Sequence, residues 1–307
     1  MRILLQTSSA NAGEWRAALA AALPEAEVAL WPEVPFAVDY LAVWKPAPEL
    51  FRATPAVKAV FNLGAGVDAL LQVPTLPAGV PVIRLEDAGM ADQMVEYVTL
   101  AVLAAFREQG AYAGQQREGR WRQRPRLRRE DFGIGLLGFG VLGQTVAAAL
   151  ARFGFPLAGW SRGRKAVAPV RCFAGAAELP DFLARSQALV CLLPSTPDTR
   201  GLLDRTRLLR LPRGAHLVNV ARGDIVVDAD LVGVLDDGHL ASATLDVFRE
   251  EPLPPGHPFW HHPRITVTPH VSAVTLVDDS AAQIAAKIRR LEQGLPVTGI
   301  VDRERGY

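Results

Sequence analysis

Polar residues of different chemical types follow successive apolar segments in the carboxyl-terminal half of the chain. Each segment has the composition of a buried strand: Arg222 follows residues 217–220, Glu250 and Glu251 follow residues 243–247, and His270 follows residues 265–268. Arginine can hold a planar carboxylate and polarise a carbonyl group. Histidine can deliver a proton to the carbonyl oxygen, and a neighbouring acid favours the protonated imidazole. Together these residue types suit the reduction of a 2-oxo acid to a 2-hydroxy acid.

A glycine motif indicates where a cofactor for such a reduction would bind. Its members follow the apolar run 134–137 and precede the Ala-rich run 144–150: Gly138, Phe139, Gly140, Val141, Leu142 and Gly143. In a strand–turn–helix context, the first glycine makes the turn and the second lets the backbone approach a pyrophosphate. The third glycine allows the helix to pack closely on the strand. We therefore expect a dinucleotide site here, with a glycine turn of another α/β unit as the alternative.

The residues after the next predicted strand indicate which dinucleotide is bound. Dinucleotide folds that prefer NAD carry an acidic residue there, which binds the ribose 2′-hydroxyl. This chain has no carboxylate at that position and instead carries a hydroxyl and cations, namely Ser161, Arg162, Arg164 and Lys165. A carboxylate would repel a 2′-phosphate, whereas arginine binds one with charge-assisted hydrogen bonds. The loop predicts a preference for NADP(H), with NAD(H) possible; a merely solvated basic loop is the alternative.

Short apolar runs bounded by turn residues predict an α/β fold with two Rossmann-like domains. Such runs suit parallel strands that are covered on both faces. We expect a discontinuous first domain from residues 1–97 and 273–307, and a doubly wound, cofactor-binding domain from residues 98–272. One long helix is expected over residues 91–115, and a final amphipathic helix over about 276–293 returns to the first domain.

Composition excludes several other classes of protein. The 307 residues carry a net charge of +1, so the Arg-rich stretch 117–129 reads as a solvated linker rather than a nucleic-acid site. No apolar run is long enough for a membrane span, and the amino terminus lacks a signal-peptide pattern. Cys172 and Cys191 have no metal or redox spacing, and His261–His262 has no third ligand in view. We therefore expect no metal, no membrane and no nucleic-acid partner, and a cytoplasmic location.

The chain resembles the D-isomer-specific 2-hydroxyacid dehydrogenase family over nearly its whole length. Besides the glycine motif, these segments carry the resemblance: Asn62–Asp68, Trp160–Arg162, Leu193–Pro194, Asn219–Gly223, Asp246–Pro254, Thr268–His270 and Pro296–Arg303. One position is looser, because Met94-Val95-Glu96 stands where many members have Val-Ala-Glu. The resemblance implies a flavodoxin-like fold for the smaller, substrate-binding domain.

The resemblance also assigns roles to individual residues. Arg222 would bind the substrate, and Glu251, which directly precedes a proline as the family's acid does, would orient the acid/base His270. Asp246 would hold the nicotinamide carboxamide. The remaining cofactor contacts would be Leu193, Pro194, Val220 and Ala221. The remaining substrate contacts would be Trp44, Lys45, Gly64, Ala65 and Gly66, with the substrate in a cleft between the domains.

The implied activity is NADPH-dependent reduction of small 2-oxo acids, glyoxylate and hydroxypyruvate first, by a homodimer. Two alternatives remain open from sequence: a dehydrogenase of a larger D-2-hydroxy acid, and a nucleotide-sensing corepressor-like binding protein. The latter can keep the Arg, Glu and His residues, although the lack of long tails beyond Tyr307 disfavours it.

Overall fold

The computed structural model describes residues 1–7, 10–34 and 37–306. The chain divides into two compact units, the first formed by residues 1–90 and 275–307 and the second by residues 91–274. The chain thus passes between units at 90/91 and 274/275, where the sequence had placed the passages at 97/98 and 272/273. Each unit is an α/β structure built on one parallel sheet, so the predicted fold class is confirmed.

The first unit has a five-stranded sheet in the order β2-β1-β3-β4-β5, the flavodoxin-like order. Its strands are β1 (Arg2–Thr7), β2 (Glu27–Leu30), β3 (Tyr40–Trp44), β4 (Ala59–Asn62) and β5 (Val82–Ile83). Its helices are α1 (Ala12–Ala22), α2 (Pro48–Ala53), α3 (Asp68–Leu71) and α10 (Val277–Glu292). Every residue of β4 is buried, as expected for a central parallel strand with both faces covered.

The second unit has a seven-stranded parallel sheet in the order β12-β11-β10-β9-β6-β7-β8. The strands are β6 (Ile134–Leu137), β7 (Leu157–Ser161), β8 (Arg171–Ala174), β9 (Ala188–Cys191), β10 (Ala215–Asn219), β11 (Leu240–Leu245) and β12 (Ile265–Val267). The helices are α4 (Met90–Phe106), α5 (Gln109–Arg117), α6 (Val141–Ala151), α7 (Gly175–Leu183), α8 (Arg205–Leu208) and α9 (Asp228–Asp236). Counted from β6, this is the doubly wound 3-2-1-4-5-6 order with one more strand at the edge.

Alternate residues of the central strands of this unit join two different apolar clusters. Leu189 and Cys191 of β9 belong to one cluster, whereas Ala188 and Val190 belong to the other. Because successive side chains of a strand point to opposite faces, the two clusters are the two cores above and below the sheet. This double burial makes the sheet a rigid support for the loops at its carboxyl edge.

The predicted helix over residues 91–115 is wrong as a single element. The backbone breaks between α4 and α5 at Glu108, which has a left-handed conformation with φ of 53°. The Glu108 carboxylate accepts a 2.7 Å hydrogen bond from Nε of Arg124. The sequence around the break carries no proline, and Gly110, two residues beyond Glu108, is a weak signal of it because an isolated glycine is tolerated inside helices.

Strand β8 was not predicted at all. It lies at the edge of the sheet, pairs only with β7, and buries just Phe173 among its four residues. A strand that buries one side chain has no apolar run to reveal it.

Among the described residues, no helix is long and apolar enough to cross a membrane.

Candidate active site

Strands β10, β11 and β12 are neighbours in the sheet, so their carboxyl ends meet at one edge. Arg222 lies three residues beyond β10, Asp246 directly follows β11, and His270 lies three residues beyond β12. In doubly wound folds, ligands bind outside this edge of the sheet. The topology therefore brings the predicted arginine, acid and histidine to the place where chemistry is expected.

His270 and Glu251 form a direct pair. Nδ1 of the imidazole lies 2.8 Å from Oε2 of the carboxylate, and Oε1 accepts a 3.0 Å hydrogen bond from the amide of Phe248. Partial burial by itself raises the pKa of Glu251, but the hydrogen bonds from His270 and Phe248 and the nearby charge of Arg222 outweigh it and lower that pKa. The carboxylate thus stays ionised, holds Nδ1 and leaves Nε2 of the half-exposed imidazole directed elsewhere.

Asp246 fixes the loop that carries His270. Its side chain is fully buried, and its carboxylate accepts hydrogen bonds from the Thr268 hydroxyl at 2.6 Å and from the amides of Val271 and Ser272 at 2.9 and 2.8 Å. These contacts bracket His270, whose backbone has a φ of 56° in the left-handed region. Such a conformation is strained for a histidine and persists where the surroundings impose it. The role of Asp246 as a carboxamide ligand stays a prediction.

Helix α4 adds a support that sequence reasoning missed. The Tyr97 hydroxyl lies 2.5 Å from Oγ1 of Thr268, which itself donates to Asp246. This series of hydrogen bonds, from Tyr97 through Thr268 to Asp246, links α4 to the end of the strand that precedes His270. Thr268, two residues before the histidine, was the only available signal, because nothing local to Tyr97 indicates a partner so distant in sequence.

Arg222 is held by the residues on either side of it. Asn219 is buried, donates from Nδ2 to the Arg222 carbonyl at 3.0 Å, and accepts from the Ala221 amide at 3.2 Å. Gly223 packs so closely that a Cβ there would lie 1.9 Å from the carbonyl carbon of Phe248. Only glycine fits such a contact. The loop after β10 is therefore locked against the loop that carries Glu251.

The glycine motif forms the turn and helix start that were predicted. Gly138 has a φ of 110°, and the amides of Gly138 and Phe139 both donate to the Trp160 carbonyl, at 3.1 and 2.9 Å. A Cβ on Gly143 would lie 2.4 Å from the Gly138 carbonyl oxygen, so this glycine brings α6 close to the strand. Phe139 is fully buried and its amide is already used in this turn, so its role as a cofactor contact stays a prediction.

Gly140 differs from the other two glycines of the motif. It is exposed, and a Cβ built on it would meet no atom within 4 Å. It immediately precedes α6, whose first-turn amides have no acceptor within the helix. Open space beside unpaired amides at a helix start fits a pyrophosphate group. The residues present therefore fit the predicted dinucleotide, and contacts from the backbone of Val141 and Leu142 stay a prediction.

The cationic side chains of the basic loop after β7 differ in their surroundings. Ser161 donates to the Gly163 carbonyl at 2.8 Å, and Arg162 is exposed. Arg164 is paired with Glu178 of α7, an acid that sequence reasoning did not connect with this loop. Lys165 is half-buried. Glu178 also accepts the amide of Ala174 at 2.7 Å and so fixes the far side of the loop.

The loops after β9 and β10 lie side by side because their strands are neighbours. Of the residues expected to contact cofactor there, Leu193, Val220 and Ala221 are buried and Pro194 is half-buried. Ser195, the next residue, donates from its hydroxyl to Oδ2 of Asp224 at 2.5 Å. Among the described residues, no group of acidic, His and Cys side chains could hold a metal ion.

In the first unit, the predicted substrate residues lie at the ends of the adjacent strands β3 and β4. Trp44 packs against Gly64, where a Cβ would lie 2.5 Å from Cζ3 of the indole. The buried Asn62 donates to the carbonyls of Gly64 and Gly66 at 2.8 and 2.9 Å and so shapes the turn around Ala65. Lys45 is exposed and has a left-handed backbone with φ of 46°.

The sequence and the fold match one family of enzymes. Residues 99–272 match the sequence model of the D-isomer specific 2-hydroxyacid dehydrogenase, NAD binding domain. The chain is 46% identical to glyoxylate/hydroxypyruvate reductase A of Serratia proteamaculans, over 100% of both chains. It therefore belongs to the D-isomer specific 2-hydroxyacid dehydrogenase family.

Solved structures agree with this assignment. A D-isomer specific 2-hydroxyacid dehydrogenase from Xanthobacter autotrophicus, solved in complex with NADPH and MES, is 43% identical with a TM-score of 0.95, covering 100% of this chain and 99% of that one. The NADPH-dependent glyoxylate/hydroxypyruvate reductase of Sinorhizobium meliloti, in complex with NADP and sulfate, is 38% identical with a TM-score of 0.93 and the same coverage.

Proposed function

We propose that this protein reduces small 2-oxo acids with NADPH, converting glyoxylate to glycolate and hydroxypyruvate to D-glycerate. The observation that carries the proposal is the 2.8 Å pair of His270 and Glu251, at the sheet edge to which Arg222 and the glycine motif also belong. The names of the similar reductases support the choice of substrates. Family membership makes an oxidoreductase the expected class.

NADPH would be held by the turn from Gly138 to Gly143, with its 2′-phosphate near Ser161 and Arg162. When bound, the reduced nicotinamide supplies a hydride to the carbonyl carbon of the substrate. The complexes of two similar proteins with NADPH and NADP support this choice. We assign the larger part of the phosphate contact to Arg162, because it is exposed and directly follows β7, where the ribose is expected.

The residues of the chain would supply the proton and the alignment. With Nδ1 held by the carboxylate of Glu251, a protonated His270 has Nε2–H free to donate to the carbonyl oxygen as the hydroxyl forms. After this transfer the imidazole is neutral and takes up a proton from solvent. Arg222 would bind the substrate carboxylate with paired hydrogen bonds and keep the carbonyl aligned.

For the first unit we assign a substrate contact to the turn Gly64–Gly66, whose backbone amides can donate to a carboxylate. Trp44, packed on this turn, would limit the size of the substrate side chain, and Lys45 would add a positive charge. Replacement of Trp44 by Ala should improve turnover of larger 2-oxo acids relative to glyoxylate. An unchanged substrate order in that variant would remove Trp44 from the assignment.

A second candidate function is supported by one observation. A cavity of about 350 Å³ adjoins the catalytic pair. Apart from Glu251 and His270 its lining is apolar, formed by Phe248, Pro252, Leu253, Trp260, Val267 and Pro269. Such a cavity could accept the side chain of a larger, apolar 2-oxo acid. This favours a D-2-hydroxyacid dehydrogenase of broader substrate size as the alternative.

A single panel separates these functions. Initial rates are measured with glyoxylate, hydroxypyruvate and phenylpyruvate, each with NADPH and with NADH. The proposal expects the two small acids with NADPH to give the highest kcat/KM. Phenylpyruvate as the best substrate would establish the alternative, and no turnover with any acid, together with tight nucleotide binding, would favour a nucleotide-sensing binding protein.

The homodimer and the cytoplasmic location are also part of the proposal. Leu100 on α4 and Trp121 beyond α5 are large apolar residues with 70% and 100% of their surface exposed. Contiguous exposed apolar surface marks interaction sites, and we propose that these two residues contribute to such a surface. Light scattering of the parent and of a Trp121→Ser variant tests whether this segment joins two copies.

A further inference from the structure

Asp224 lies two residues beyond Arg222 and makes contacts that the reduction chemistry does not by itself require. Its Oδ2 accepts the Ser195 hydroxyl at 2.5 Å and lies 3.2 Å from Nε of Arg200. Nε of Arg200 also lies 3.4 Å from the Ser195 oxygen, so the three side chains form one closed group. Asp224 thus connects the loop that carries Arg222 with the loop that follows β9.

The backbone repeats this connection. The Gly201 amide donates to the Asp224 carbonyl at 2.8 Å, and the Leu203 amide donates to the Ile225 carbonyl at 2.9 Å. Leu203 and Val226 form a parallel bridge. Residues 201–203 and 224–226 therefore form a short ladder, and the Asp224 side chain extends this ladder toward Ser195, next to the predicted cofactor residues.

The environment of the Asp224 carboxylate is partly enclosed. Its Oδ1 is buried and has no hydrogen-bond partner among the described residues. It is close enough to Cys191, at the end of β9, to add to the effect of burial, which raises the pKa of that thiol to about 12. An unpaired buried acceptor is unfavourable, so the Asp224 carboxylate needs its contacts with Ser195 and Arg200 to offset this cost.

Arg222 lies two residues before this anchor. On its amino-terminal side it is fixed by Asn219, and on its carboxyl-terminal side Gly223 lies in close contact with the Phe248 backbone. The next residue, Asp224, is the first in this direction whose side chain holds another loop. A guanidinium that is displaced loses the paired geometry with which it binds a carboxylate, so the affinity for substrate falls.

We propose that Asp224 is a positioning residue, whose carboxylate binds Ser195 and Arg200 and thereby sets Arg222 and the cofactor-contacting loop 193–196 relative to each other. This inference rests on the proposed function for the roles of Arg222 and of the loop. It predicts that the loss of one side chain, outside the reacting groups, weakens both substrate and cofactor binding.

The test compares Asp224→Ala with Asp224→Asn and Ser195→Ala. Asp224→Ala should raise the KM for glyoxylate and the Kd for NADPH about tenfold, with a smaller change in kcat. Asp224→Asn keeps an acceptor for Ser195 and should recover most of this loss. Ser195→Ala should add little in the Asp224→Ala background, because both changes break the same contact.

A matched control is the ion pair of Asp237 and Arg205, which is 2.6 Å long, exposed and in the same unit. Asp237→Ala should leave both constants at the parental values. A merely structural role for Asp224 would lower kcat and the melting temperature through a smaller active fraction, with unchanged KM and Kd. That result, or full additivity with Ser195→Ala, would overturn the proposal.

The Kd for NADPH is measured by fluorescence titration without turnover, which separates this inference from the proposed function. If the parent does not reduce glyoxylate, the proposed substrate is wrong, whereas the coupling of Asp224 and Ser195 in NADPH binding is still measured. If Asp224→Ala does not fold, the same comparison is made between Asp224→Asn and Ser195→Ala. Because Asp224→Asn is expected to stay close to the parent, parental Kd and KM in Ser195→Ala would then overturn the proposal.

Discussion

Replacement of Gly140 by alanine should separate cofactor binding from folding. A Cβ at this position meets no protein atom within 4 Å, and the backbone φ of −80° is one that alanine adopts readily. The variant should therefore fold with a melting temperature close to that of the parent. The added methyl group would instead occupy the space where a pyrophosphate approaches the start of α6.

The expected loss follows from the contacts that the methyl group displaces. A hydrogen bond to a charged group contributes about 1.5–3 kcal/mol, so loss of one such contact raises the Kd for NADPH roughly 10- to 150-fold. Gly138 gives the opposite outcome, because a Cβ there would lie 2.7 Å from the Leu192 carbonyl carbon at a φ of 110°. Gly138→Ala should therefore destabilise the fold itself.

The assay is a fluorescence titration with NADPH beside thermal unfolding of each variant. Gly13→Ala is the matched control, since Gly13 also has no atom within 4 Å of a built Cβ but lies in the first unit. A Gly140→Ala protein with the parental Kd would refute the reasoning, because it would mean that no ligand group approaches this turn.

Further tests concern the reacting pair, the cofactor preference and pH. His270→Asn should lower kcat by about 10²–10⁴-fold with NADPH binding unchanged, and Glu251→Gln should lower kcat by a smaller factor, because Nδ1 of the imidazole loses the charged acceptor that orients it. Arg162→Ala should raise the KM for NADPH roughly 10- to 150-fold and that for NADH far less; equal kcat/KM for both cofactors in the parent would contradict the assignment. Burial lowers the pKa of His216 to about 4, so the unfolded chain takes up a proton as pH falls from 6.5 to 4. The free energy of unfolding should therefore fall by about 3 kcal/mol between pH 6.5 and pH 4. His216→Gln should lose this pH dependence in denaturant titrations.

The doubly wound class of the second unit could be predicted because one local pattern implies a long-range arrangement. A glycine motif between a buried strand and an Ala-rich helix is compatible with few folds, and it fixes which strand lies at the centre. The same logic located Arg222 and His270, since residues that follow parallel strands must lie at one edge. Family and fold class were thus accessible from sequence, and both are confirmed.

Elements that depend on a single contact with a residue distant in sequence could not be predicted. Strand β8 buries only Phe173, and the break between α4 and α5 is accompanied by a pair of Glu108 with Arg124. Neither leaves a periodic trace in the sequence. The partner of Arg164 was missed for the same reason, because Glu178 belongs to a helix whose own pattern is explained without it.

The least predictable residues of the site are those that position other residues through hydrogen bonds. A sequence motif reveals residues that meet a ligand, because the ligand imposes their type and spacing. Tyr97, Thr268 and Asp224 meet protein atoms instead, and many residue types could serve if the partner changed with them. Their contribution therefore emerges only once distances are known. The variants of Asp224 test the most consequential of these contacts, since its carboxylate joins the loop of Arg222 to the predicted cofactor loop through the Ser195 hydroxyl.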